Sequence, residues 1–363
     1  MLRGKLNALR GLIRDKEASA LILTNPRNMG YLLGYEDGIL AYLDDSAVKV
    51  VVPLLDYDRA MELIGGDAEV LAYSGYKLPV EGNFIFGSDE LTRLVSSWVR
   101  QGSGVVIDDP NNQLVGKVLN AANAKPINAS GDIQGIRSVK LPEELELIKG
   151  AIDITLKVLD ELYYMRLVGI RERDVAAYIY QGLIRHGGDE LAFNPIVGSG
   201  PNGAKPHHTH SDRIIGEGET VVIDIGARYR LYCADVTRTL TTGGIEGKLK
   251  DAYEAVVEAS RSAIRAIKPG VKASDVDAEA RRVINEYGFP WGFIHSLGHG
   301  VGVEVHEKPL LGPSSSDVLR AGNVVTIEPG IYIKGVGGIR VENMVLVTEG
   351  GAEVLTRDKY AYV

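Results

Sequence analysis

Val221-Val222-Ile223-Asp224-Ile225-Gly226 and Val325-Thr326-Ile327-Glu328-Pro329-Gly330 each set an acid inside a β-branched run and follow it with glycine. Runs of this kind read as strands buried on both faces, where a carboxylate is out of place. A return strand with a second acid follows each: Asp235 within Leu231–Leu240, and Glu342 in Ile339-Arg340-Val341-Glu342. With the first turn centred on Tyr229–Arg230, Asp224 is expected to face Asp235 across the ladder. Two carboxylates so placed repel by roughly 4 kcal/mol at about 4 Å and an effective dielectric near ~20. A cation between them removes that cost. Four such acids converging on one axis carry four negative charges, which two divalent cations balance. Solvated edge acids or structural ion pairs would explain one isolated acid; symmetric placement of four argues against both.

The hairpins belong to an internal repeat. Gly169, Asp174-Val175 and Gly187 recur at the same spacing as Gly270, Asp275-Val276 and Gly288, and Gly218, Asp224 and Gly226 recur as Gly322, Glu328 and Gly330. Each copy reads as helix, turn, helix and glycine stop, then a strand pair. Two such halves should pack about a pseudo-twofold axis with their hairpin ends meeting in the middle. The first helical pattern opens at Pro142-Glu143-Glu144, with proline and acids in its first turn.

Upstream, Leu2, Leu6, Leu9 and Ile13 repeat at helical spacing. Strands are expected at Ala20–Leu23, Val48–Pro53, Ala68–Ala72 and Val105–Asp108, and a helix over Leu91–Arg100. This is an α/β layer, a mixed sheet with helices on its faces, and it carries no chemical motif. The polar stretch Ala129–Gly135 is expected to separate it from the duplicated part, giving domains 1–132 and 133–363.

Composition narrows the function classes. Apolar residues make up 45% and charged residues 24% of the 363, which fits a folded chain with a sizeable core rather than a disordered one. Acidic residues outnumber basic ones 48 to 40, so nucleic acid is not the expected partner. The 43 glycines have no collagen-like period and point to many tight turns. A single cysteine, Cys233, cannot form an intramolecular disulfide and fits a reducing cytoplasm. The first residues read as an amphipathic surface helix without the apolar core of a signal peptide. The longest uncharged run, Tyr287–Val303, holds proline, glycines and histidines and is a poor membrane span.

Six of the seven histidines, His207, His208, His210, His295, His299 and His306, lie in the duplicated region. The segment from His295 to His306 is too glycine-rich for a helix and reads as strand and loop. One surface histidine means little, but a two-metal hydrolase needs an imidazole ligand and hydrogen-bond donors for its substrate. Two other motifs are set aside. Gly198-Ser199-Gly200-Pro201-Asn202-Gly203 matches GxGxxG, but its prolines leave no helix N-terminus for a pyrophosphate. Asn128-Ala129-Ser130 is a glycosylation sequon that a cytosolic chain would not use.

The ordered set Asp224, Asp235, His299, Glu328 and Glu342 resembles the ligand pattern of the pita-bread metallopeptidases: prolidase, Xaa-Pro aminopeptidase and methionine aminopeptidase, with the metal-free creatinases as relatives. The phrases Asp224-Ile-Gly-Ala, Asp235-Val-Thr-Arg-Thr, Gly298 to His306, Ile327-Glu-Pro-Gly-Ile-Tyr and Gly338-Ile-Arg-Val-Glu342 carry the resemblance, which spans Ile136 to the C-terminus. Residues 1 to about 130 resemble, more loosely, the N-terminal domain of the creatinase and prolidase branch. Asn343 departs from the pattern, since prolidases usually place aspartate after the last ligand.

The resemblance implies an α/β (α+β) protein, a creatinase/prolidase-like domain followed by a pseudo-twofold pita-bread catalytic domain. It implies two divalent metal ions per subunit, manganese or cobalt, with zinc or iron as options. Asp235 and Glu342 would bridge them, with Asp224 completing one site and His299 and Glu328 the other. Catalytic roles fall to Glu328, accepting the proton of the attacking water and passing it to the leaving nitrogen, and to His306 and His207. Substrate would be held by His207, His295, His306 and Arg340; Arg340 shares the strand face of Glu342 and could meet a carboxylate or a tetrahedral oxyanion. The implied substrate is a dipeptide with C-terminal proline, and the implied protein is a cytoplasmic homodimer. Xaa-Pro aminopeptidase is the enzymatic alternative. Methionine aminopeptidase would leave the N-terminal domain surplus, and a creatinase would not need five intact ligands. A binding module on an inactive peptidase scaffold is the alternative from another class.

Overall fold

Leu2–Asp15 forms an amphipathic helix that buries Leu9, Leu12 and Ile13, as the spacing of its leucines predicts. The structure, a computed structural model, describes residues 2–357 except 80, 81 and 83, and separates into two units, Met1–Arg137 and Ser138–Val363.

In the first unit, seven strands form one sheet in the order Ile85–Phe86, Glu69–Ser74, Val48–Pro53, Leu40–Leu43, Ala20–Leu23, Gly104–Ile107 and Lys125–Asn128. The pairs made by Leu40–Leu43 are antiparallel and the outer pairs parallel. Successive residues serve opposite faces. Leu21, Leu23, Val50 and Val52 enter one core, whereas Ala20, Ile22, Val51 and Val105 enter the other. The strands Ala20–Leu23 and Val48–Pro53 appear as expected, those expected at 68–72 and 105–108 run Glu69–Ser74 and Gly104–Ile107, and the helix expected over 91–100 runs Ser88–Trp98.

Ala129–Gly135, expected as a polar connector, is largely helical. Ser130–Ser138 is a helix, and Asn128 Oδ1 caps it by accepting from Ser130 N at 3.2 Å and Ser130 Oγ at 2.6 Å. Ala129 and Ile133 are buried in the first unit's core, an apolar pair that the polar composition of the stretch disguised. The expected divide after 132 falls within this helix, whereas the units part at its end.

The second unit is built twice. Helices Pro142–Tyr164 and Glu172–Arg185 form one pair, Lys248–Ala266 and Ala273–Glu286 the other. The repeated glycines take matching left-handed conformations: φ is 89° at Gly169 and 86° at Gly270, and 73° at Gly218 and 90° at Gly322. Their contacts match too, since Gly169 N donates to Ile215 O and Gly270 N to Leu319 O, both at 2.9 Å. Each helix pair covers its own core. Within the first half, Thr155 Oγ1 accepts from Ala227 N at 2.9 Å and ties the long helix to the hairpin. This is the pseudo-twofold arrangement expected of the pita-bread architecture.

Each hairpin is cut into two ladders at its acid. Thr220–Ile225 pairs with Val236–Thr241, and beyond Gly226 Ala227–Tyr229 pairs with Tyr232–Cys233. Likewise Val324–Ile327 pairs with Asn343–Thr348, and beyond Pro329 Gly330–Ile333 pairs with Gly337–Arg340. A Cβ on Gly226 would lie 2.0 Å from the Ala234 carbonyl oxygen, so the interruption tolerates no side chain there. Gly226→Ala should therefore lower unfolding stability by about 3 kcal/mol. Gly244→Ala, where nothing lies within 4 Å, should leave it nearly unchanged; thermal or urea unfolding of the two variants makes the comparison.

Candidate metal centre and active site

Asp224 does not face Asp235 directly. It pairs with Thr237, because the turn is one residue later than expected. Arg230 and Leu231 both take left-handed φ, 46° and 75°, and form the two-residue connection that sets Arg228 against Cys233. Such conformations are normally given to glycine or asparagine, so Arg-Leu concealed the turn. Asp235 falls opposite Gly226 and lies diagonal to Asp224 on the same face. In the second hairpin the register of Ile327 with Asn343 continues into Gly330 with Arg340, which sets Glu328 opposite Glu342.

Three overlapping groups result, each with ligand atoms within 4.8 Å of one another: Asp224, Asp235 and Glu342; His299, Glu328 and Glu342; and Asp235, His299 and His306. Asp235, Glu342 and His299 each belong to two of the groups, so the six residues form one continuous set. His299 lies on the short strand Gly298–Gly300, where its amide donates to Thr326 Oγ1 at 3.2 Å. Its Nδ1 lies 3.1 Å from Gly300 O. Donation there fixes the tautomer and leaves Nε2 as a lone pair, 3.5 Å from Asp235 and 3.4 Å from Glu328. Asp224 Oδ1 is buried and without a hydrogen-bond partner. Oxygen donors with one neutral imidazole and an orphaned carboxylate oxygen suit divalent cations.

The electrostatics follow from crowding. Burial first, and then neighbouring carboxylates, hold Asp235 and Glu328 well above the usual carboxylate range and push Glu342 up to about 8. Burial lowers His299 to about 4, helped by His306 beside it, their ring centroids 4.3 Å apart. His295 is likewise lowered to about 4, mainly by burial.

The groups open into a cavity of about 600 Å³ lined also by Phe193, Ile196, Pro206, His207, His295, His306, Leu310 and Arg340. The expected substrate residues thus share one space, but differ in freedom. Arg340 Nη2 donates to Asp224 at 2.6 Å, Nη1 to Tyr332 Oη at 2.9 Å and Pro206 O at 3.1 Å, and Nε to Thr237 Oγ1 at 3.1 Å. All three of its nitrogens have protein acceptors, so here it braces the wall. His295 is also engaged at both nitrogens, with Ser296 O at 2.8 Å and Tyr332 Oη at 2.9 Å. As a neutral ring donating from Nδ1, it accepts from Tyr332, whose hydroxyl in turn accepts from Arg340. His207 and His306 are exposed on the cavity side.

Sequence reading did not single out Tyr332, Thr237 or Arg238. Thr237 Oγ1 donates to Glu342 at 2.9 Å, and Arg238 donates to the Glu342 carbonyl oxygen and to Asn343. The threonines at alternate positions 237, 239 and 241 of the strand Val236–Thr241 were the available signal. Asn343 is buried, Oδ1 accepting from Arg238 at 3.2 Å and Thr356 at 3.0 Å.

The sequence profile of metallopeptidase family M24 matches residues 146–349, and that of the creatinase/prolidase N-terminal domain matches residues 5–139. The chain is 35% identical over 359 residues to the Xaa-Pro dipeptidase of Pyrococcus furiosus, covering 98% of each chain. It is 34% identical over 357 residues to a putative Xaa-Pro aminopeptidase of Mycoplasma genitalium, covering 95% of this chain and 94% of the other. Its structure resembles the crystal structure of the prolidase from Pyrococcus horikoshii OT3, with a TM-score of 0.86 and 32% identity, covering 99% of this chain and 100% of that one.

Raised acids make the cation-free protein sensitive to pH. Folded Glu342 keeps its proton up to about 8, against 4.5 for the ordinary group, so between those values the folded state binds more protons and loses stability as pH rises. Chelated protein should therefore melt at progressively lower temperature from about pH 6.5 to pH 8, above the range in which the lowered His295 and His299 oppose the effect. Saturating divalent cation should remove most of that slope, because the bound ions favour the ionised carboxylates. Melting curves in chelator and in manganese test this, and parallel pH profiles would contradict it.

Proposed function

Because the chain belongs to metallopeptidase family M24, we propose that it is a prolidase, a hydrolase of dipeptides with C-terminal proline. The observation that carries the reading is the convergence of Asp224, Asp235, His299, Glu328 and Glu342 in overlapping ligand groups at a cavity. Asp235 and Glu342, carboxylates that each belong to two of the groups, would serve both cations, with Asp224 completing one site and His299 and Glu328 the other. Bound there, two divalent ions would supply the positive charge that polarises a peptide carbonyl and acidifies water.

The chain's own residues do the rest. Glu328 takes the proton of the attacking water and returns it to the leaving nitrogen. His306 and His207, on the cavity side, hold the substrate and the oxygen that gains charge. The chain Arg340–Tyr332–His295 keeps the wall beside them rigid. The apolar part of the cavity, Phe193, Ile196, Pro206 and Leu310, suits a proline ring.

Xaa-Pro aminopeptidase is the second reading, supported by the Mycoplasma relative. Manganese or cobalt is the inferred metal, from the oxygen-rich donor set. We place the protein in the cytoplasm as a homodimer. The lone buried Cys233 suits a reducing compartment, and no helix among the described residues is long and apolar enough to cross a membrane. Family habit supports the dimer.

Manganese-loaded protein should cleave Ala-Pro and spare Ala-Pro-Ala; cleavage of the tripeptide alone would favour the aminopeptidase. Glu328→Gln should lower kcat by about 10²–10⁴-fold, and Asp235→Ala should reduce bound metal, read by elemental analysis.

A further inference from the structure

We propose that Glu172, at the start of the helix Glu172–Arg185, is a positioning residue that aims His207 across the cavity. The inference rests on His207 holding substrate, as read above. Glu172 is completely buried, and every hydrogen bond found to its carboxylate comes from one segment. Ser199 donates from N and Oγ, both at 2.8 Å, Asn202 from Nδ2 at 3.1 Å, and His208 from Nε2 at 3.0 Å. Ser211 donates from N at 3.1 Å and from Oγ at 2.5 Å. Burial alone would raise this acid, but the bonds from Ser211, Ser199 and His208 outweigh it and hold it at about 2.

A helix start does not need such a group. An exposed acid serves the helix dipole as well, and Asp174 already fills that place in the first turn, paired with Arg171 at 2.8 Å. The segment from 203 to 219 has neither helix nor strand; backbone bonds tie its residues 211–215 to residues 169–173, and nearer His207 its path depends also on the side-chain bonds on either side. Pro206 O accepts from Arg340 at the cavity wall, and the His208 ring is fixed to Glu172. His207 stands between these two pinned neighbours. Its own ring has no hydrogen-bond partner among the described residues, so the backbone on either side sets its direction into the cavity.

A double-mutant cycle tests this. Glu172→Gln and His207→Ala should each lower kcat/KM for Ala-Pro roughly tenfold. The double variant should be no worse than His207→Ala, with metal content unchanged in all three. Effects that multiply, or a His207→Ala protein with normal kcat/KM, would overturn the inference. His208→Ala takes the place of Glu172→Gln in the same cycle if the latter does not fold. Independently of turnover, the His207 ring resonance, identified by its loss in His207→Ala, should move in Glu172→Gln while that of His306 does not; an unmoved resonance overturns the proposal. Wild-type protein that fails to cleave Ala-Pro refutes the substrate reading alone, because the resonance test still judges Glu172.

Discussion

Four carboxylates are forced into a space where they repel one another and where burial already disfavours their charge. Everything around them is arranged to keep them there. Asp224 and Glu328 stand at the ends of strands whose other residues are buried β-branched side chains, so neither can swing out to water without disrupting a ladder. Asp235 and Glu342 come back on the return strands, and Thr237 and Thr239 link the two hairpins through Glu342 Oε2 and Arg340 O. The duplication is what makes this possible. One hairpin offers one pair of acids; a second copy turned about a pseudo-twofold axis brings the other pair to the same point.

The histidines near the acids are steadied by residues that never reach the cavity centre. Asp277, buried on the second helix of its repeat, accepts from Leu297 N and from Arg281, and Arg281 donates to the carbonyls of Phe293 and His295. Lys140 pairs with Glu307 at 2.9 Å, next to His306, with both side chains buried. The shared device is an ionic group anchoring the main chain or side chain beside a histidine while leaving the imidazole to its surroundings. Glycine-rich segments such as 298–302 cannot provide that rigidity themselves, because each glycine adds backbone freedom that packing must remove.

Legibility in the sequence followed how local each feature is. An acid within a β-branched run, a glycine repeated at constant spacing and a proline-acid helix start are local statements, and they located the hairpins, the duplication and the helix at Pro142. Strand register is not local. Arg230 and Leu231 adopt turn conformations that their side chains disfavour, made tolerable by Asp189, which accepts from Arg230 N at 2.5 Å, and that contact spans two elements. Tyr332 escaped notice for a similar reason. Its value lies in bridging Arg340 and His295, and nothing in Ile331-Tyr332-Ile333 announces either partner. The stretch Ala129–Ser138 reads as polar because only a few apolar side chains, Ala129, Ile133 and Ile136, meet the core.

Structural ion pairs remain the natural rival explanation for buried acids, and the distribution of cations decides against it. Arg340 contacts Asp224 but none of the other three carboxylates. The second nearby guanidinium, Arg238, spends its donors on carbonyl oxygens of Thr237, Glu342 and Thr356 and on Asn343, not on the acid cluster. His299, the remaining basic side chain against Asp235 and Glu328, is held in its neutral form by burial. One arginine against four acids leaves a large deficit of positive charge at a point that also faces a cavity. A structural network evolved for stability would satisfy its acids with arginine or lysine, or replace them with apolar residues at lower cost. The deficit is what a site needs if its missing charge is to be supplied from solution as metal.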